Sequence, residues 1–99
     1  MTKVERIKNL LEKARANNVA LMLHYRDAKG EETTRPIFPI SPLFTNSRGN
    51  DAFLAISIPD LGQEWPVRQF LAQRVLSIKE DERVDETVLQ FAAKVRYTG

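Results

Sequence analysis

Four arginines, Arg26, Arg35, Arg68 and Arg74, stand in three basic–aromatic segments of this sequence. The segments are Tyr25-Arg26-Asp27-Ala28-Lys29-Gly30, then Arg35-Pro36-Ile37-Phe38-Pro39, then Arg68-Gln69-Phe70 with Arg74-Val75 close behind. A guanidinium presents a planar fork of donors that matches phosphate oxygens and stacks on flat rings. Several on one surface need an anionic ligand or a carboxylate to offset their repulsion. Such a groove suits single-stranded nucleic acid when rings supply stacking platforms, each worth about 1–3 kcal/mol per base. Tyr25, Phe53, Trp65 and Phe70 are the rings available. Tyr25 shares strand parity with Leu21 and Leu23, and Phe70 has apolar neighbours, so core packing competes for both. Trp65 sits between polar and proline residues and joins His24 as a candidate base contact.

Each arginine also has an ordinary structural reading. Arg26 with Asp27 or Glu31, and Arg68 with Glu64, would make surface ion pairs worth about 0–1 kcal/mol. His24 is the one histidine, on the strand face opposite Leu23 and Tyr25. A lone histidine is a poor zinc site, and no nucleophile motif surrounds Ser41, Ser47, Ser57 or Ser77. The four glycines form no phosphate loop. Glu80-Asp81-Glu82 fits neither a calcium loop nor a catalytic acid pair, and is expected to precede a helix start. These residues point away from an enzyme, a metal site and a bound cofactor.

To converge, the arginines need a scaffold. Ninety-nine residues, 42% of them apolar, suit one domain with its own core. There is no cysteine, which excludes disulfides and fits a cytoplasmic location. The first residues open a charged helix with no signal-peptide pattern, and no apolar run approaches membrane-spanning length. Net charge is only +2, so an anion site must come from local clustering.

Val4, Ile7, Leu11 and Ala14 recur at helical spacing over about residues 3–16, and Asn17-Asn18 supplies the stop. From Val19 the period becomes two. Strands are expected over about 19–26 and 31–38, joined by a turn with Gly30 at positive φ. Pro36, Pro39 and Pro42 mark an edge or exit from the sheet, and 41–50 reads as a loop with Asn46-Ser47-Arg48-Gly49-Asn50 as its tip. Further strands are expected at 52–58, 66–71 and 74–79, and a second amphipathic helix over about 82–96. The reading is α+β, with about five short strands in a strongly bent sheet or small barrel flanked by an N-terminal and a C-terminal helix.

The three segments in order, Leu23-His24-Tyr25-Arg26-Asp27-Ala28-Lys29-Gly30-Glu31, Arg35-Pro36-Ile37-Phe38-Pro39 and Arg68-Gln69-Phe70 with Arg74-Val75-Leu76-Ser77-Ile78, resemble a WYL domain. The resemblance covers roughly residues 19–79. It implies an SH3-like or Sm-like antiparallel barrel, as found in many bacterial transcription regulators. It also implies ligand sensing by a regulatory or accessory domain, with nucleic acid or a nucleotide-like molecule as partner. Ala52-Phe53-Leu54 stands where the family carries Trp-Tyr-Leu, and no helix-turn-helix pattern precedes the first hairpin in this sequence.

The expected function is a non-enzymatic binding module, with Arg26, Arg35, Arg68 and Arg74 on phosphate and His24 and Trp65 on bases. The rival is a protein-interaction or homodimerisation module with no small ligand, for which the apolar run from Pro36 to Phe44 would form an exposed patch.

Overall fold

The computed structural model describes residues 1–63 and 65–95. The first helix, α1 (Lys3–Asn17), is capped by Thr2, whose hydroxyl oxygen accepts the Glu5 amide at 3.1 Å. It stops at Asn18, which takes φ 55° and donates its N–H to the Ala14 carbonyl. Strands β1 (Val19–Arg26) and β2 (Glu32–Pro39) then pair antiparallel through the expected turn, where Gly30 has φ 86°. Next come β3 (Phe44–Thr45), β4 (Asp51–Ser57), a 3-10 turn at Ile58–Asp60, and β5 (Val67–Leu71). A second 3-10 turn, Ala72–Arg74, leads into β6 (Val75–Arg83), and α2 (Glu86–Val95) follows.

The α+β class is as expected, with six antiparallel strands rather than about five. The sheet order is β3-β4-β2-β1-β6, and β5 pairs β4 as well. Ala52 faces both Phe44 and Leu71, and Ile56 faces both Phe38 and Val67. So β3 and β2 share one edge of β4 while β5 takes the other. Closure into a hydrogen-bonded barrel is not seen among the described residues. Among the described residues β5 and β6 share no ladder, because the 3-10 turn sends β6 along β1 instead of back along β5.

The prolines show where the sheet bends. Pro36 pairs only with β1 and Pro39 only with β4; the two ladders meet at Ile37. Each proline therefore sits where β2 has a partner on one side alone, and its missing N–H interrupts no second ladder. β2 is thus internal to the sheet, not an exit from it.

Strand parity sorts the core into two halves. Leu21, Leu23, Ile37, Phe53 and Ala55 face one side and pack with Ile7, Leu11 and Ala14 of α1. Ala20, Phe38 and Ile56 face the other and pack with Val84 and with Val88 and Ala92 of α2. Within the run from Pro36 to Phe44 the first half is taken up by the core, with Ile37 and Phe38 0% and 2% exposed, one in each half, and Pro39 fully buried, whereas Ile40, Leu43 and Phe44 are half-buried and Pro42 is exposed.

The acidic run lies elsewhere than expected. Residues 80–82 belong to β6, held extended by pairing with β1 through Leu21↔Glu80 and Val19↔Arg83. The start of α2 is marked instead by Asp85, whose carboxylate accepts the Val88 amide at 3.1 Å. Among the described residues no helix is long and apolar enough to cross a membrane.

Candidate functional site

The register places Arg35 opposite Leu23 and Arg68 opposite Ala55, so both side chains leave on the α1 face of the sheet. What remains open there is a concavity of about 430 Å³ lined by Tyr25, Thr33, Arg35, Asp60, Arg68 and Phe70, among others. No residue of α1 lines it. Asp60 arrives from the 3-10 turn that follows β4. Its Oδ2 accepts from Arg35 at 3.4 Å and from Arg68 at 3.5 Å. Arg35 also donates to the buried Ser57 hydroxyl at 3.2 Å. The Asp60 carboxyl is held below its ordinary range, first by a hydrogen bond from the Ser57 hydroxyl and then, against the effect of burial, by the Arg68 and Arg35 charges.

Arg74 lies next door. A concavity of about 520 Å³ shares Tyr25 and Gln69 with the first and is lined by Arg74 and Arg48 among mostly uncharged groups. Arg48 was not singled out by sequence reasoning, nor were Asp60 and Ser57 as partners of Arg35. A signal for Arg48 was present: Asn46-Ser47-Arg48-Gly49-Asn50 repeats the pattern of Asp27-Ala28-Lys29-Gly30-Glu31. Both turns fold alike, with glycine at positive φ and the first side chain accepting two backbone amides.

Arg26 and His24 leave on the opposite face of β1. Both converge on Glu32, Arg26 at 2.9 Å and His24 Nε2 at 2.9 Å. The Arg26 hydrogen bond, followed by that of His24, lowers the Glu32 carboxyl below its usual range. Arg26 thus pairs across the hairpin with Glu32, to which β-pairing brings it, rather than with Asp27 or Glu31. Arg26 also borders a smaller concavity of about 270 Å³ that includes Arg74, at the end of the hairpin. Arg68 is bound to Asp60; Glu64, its expected partner, lies outside the described residues.

The aromatic side chains divide in the same way. Phe53 and Phe70 are 0% and 4% exposed and belong to the core. Tyr25 meets Phe70 edge-on at 5.1 Å and borders both larger concavities. Trp65 is 62% exposed but stands against Phe91 of α2 and lines neither of them. The structure therefore brings together Arg35, Arg68, Arg74 and Tyr25, with Arg26 at the margin, and leaves His24 and Trp65 apart. Among the described residues no group of three or more histidine, aspartate or glutamate side chains is placed to hold a metal ion.

No family model matches the chain, and no curated protein matches it. Among solved structures it resembles proteasome accessory factor B/C (PafBC) of Arthrobacter aurescens, with a TM-score of 0.67 at 21% identity. The match covers 85% of this chain and 12% of that one. PafBC contains a WYL domain. The likeness is one of fold, and it agrees with the WYL-like architecture implied by the three segments. The chain spans about an eighth of the length of that neighbour.

Proposed function

We propose that this chain is a non-catalytic regulatory or sensor module that binds single-stranded nucleic acid or a nucleotide-like anion. By analogy with the WYL resemblance, it would work in a bacterial cytoplasm as part of transcription control. The observation that carries this reading is the meeting of Arg35 and Arg68, distant in sequence, in a concavity that no α1 residue lines, with Arg74 across Tyr25 and Gln69. Guanidinium groups lining adjoining concavities match an extended row of phosphates. Because Phe53 and Phe70 are buried, the surface favours backbone contacts over stacking of successive bases.

The test is fluorescence anisotropy with a labelled single-stranded oligonucleotide at several salt concentrations. Arg68→Ala and Arg74→Ala are expected to weaken binding and to lower the salt dependence by about one counterion each. Unchanged affinity in both variants removes these residues from the site. Light scattering across concentration separates this reading from the self-association alternative, which calls for a tight dimer with no affinity for the oligonucleotide.

A further inference from the structure

We infer that the cleft between Arg48 and Arg74 is the seat for a phosphate group, and that a phosphorylated ligand engages it before the Arg35–Arg68 end of the surface. This rests on the anion-binding reading above and assigns Arg48 to the site.

The argument starts from which cations already have anions. Arg35 and Arg68 share Asp60, and Arg26 shares Glu32 with His24. A phosphate arriving at those groups must compete with a carboxylate fixed in place. Among the described residues, no carboxylate oxygen lies within 4.0 Å of the Arg48 or Arg74 guanidinium, and no carboxylate lines the cleft between them. Asp27 borders the smaller concavity beside Arg74, yet its Oδ1 is engaged by the Lys29 and Glu31 amides at 2.8 and 2.9 Å.

The cleft is also supplied with neutral donors. Asn50, Gln69 and Gln73 of its lining carry side-chain amides, and Ser47 a hydroxyl. Such groups serve the remaining oxygens of a phosphate whose charge two guanidinium groups balance.

Arg48 is mounted on a turn held in one shape. The Asn46 amide donates to the Asn50 carbonyl and the Gly49 amide to the Asn46 carbonyl, each at 2.9 Å. The Asn46 Oδ1 accepts the Arg48 and Asn50 amides at 3.0 Å, and its Nδ2 donates to Gln69 of β5 at 3.3 Å. The turn is thereby tied to the strand that leads into Arg74. A backbone fixed before binding loses less entropy when the ligand arrives.

The experiment measures a labelled single-stranded oligonucleotide by anisotropy, and pyrophosphate as a competitor, with wild type, Arg48→Ala, Arg74→Ala and Arg68→Ala. Arg48 is exposed, so Arg48→Ala is expected to keep the wild-type melting temperature. It should lose about tenfold in affinity and about one unit of salt slope, as Arg74→Ala does, and Arg68→Ala should lose less affinity for a similar change of slope. Competition by pyrophosphate identifies a free or terminal phosphate as sufficient; binding of the oligonucleotide without competition identifies the diester backbone. If Arg48→Ala binds as wild type does while Arg68→Ala or Arg74→Ala is weakened, the seat is wrongly placed and the groove reading stands. If wild type binds neither probe, the groove reading itself falls.

Discussion

Tyr25 and Leu71 join two strands that share no ladder among the described residues: the Tyr25 hydroxyl oxygen accepts the Leu71 amide at 2.9 Å. This bond ties β1 to the end of β5 and holds the Tyr25 ring between the two concavities. Tyr25→Phe keeps the edge-on contact with Phe70 but leaves a half-buried N–H without its partner. It is expected to cost about 1–2 kcal/mol in urea unfolding. An unchanged midpoint would show that water replaces the hydroxyl at no cost.

Asp60 makes stability depend on acid. Its carboxyl titrates below the ordinary value of 3.8 in the folded chain, so the folded state holds the charged form more tightly than the unfolded state does. The contribution is complete above the unfolded value and is lost as pH falls through the lower, folded one. Asp60→Asn should therefore flatten the loss of stability below about pH 4 in a series of urea melts. Parallel acid limbs in the two proteins would count against the Arg35–Asp60–Arg68 cluster as drawn.

The same carboxylate opposes an incoming anion. With Asp60→Asn, Arg35 and Arg68 keep their positive charges and lose the negative one between them. Affinity for a single-stranded oligonucleotide should rise several-fold and the salt slope steepen by about one. A fall in affinity would mean that Asp60 serves chiefly to hold the two arginines in a binding geometry.

Gly30 and Gly49 occupy matching turns at φ 86° and 81°, and an added Cβ meets nothing within 4 Å at either. The penalty for a side chain is then backbone strain alone. Gly30→Val should destabilise by about 1–2 kcal/mol, with Gly49→Val close to it. Thermal melts of both variants test this, and an unmoved melt at either would mean that the turn relaxes to a negative φ.

The elements with a strong local code were legible in the sequence. The period of Ile7, Leu11 and Ala14, the Asn17-Asn18 stop, the alternation from Val19 and the Gly30 turn are each set by neighbours a few residues away. The short β3 and the last residues of β6 carry no such code. Polar residues 80–83 are strand because β1 pairs with them, and no property of Lys79-Glu80-Asp81-Glu82-Arg83 alone announces that.

Residue types and order by themselves determined the α+β class, the hairpin and the arginines worth watching, because helical and strand periods and guanidinium chemistry are local properties. Only the tertiary structure decided which arginines meet. One residue of parity separates Arg26, turned to the face opposite Tyr25, from Tyr25 itself, while pairing of β2 and β5 to β4 sets Arg35 beside Arg68. Their carboxylate partners were decided there too: Asp60 reaches both through a turn, and Glu32 reaches Arg26 across a hairpin. Coulomb interaction acts through distance in space, and distance in space is set by strand pairing rather than by position along the chain.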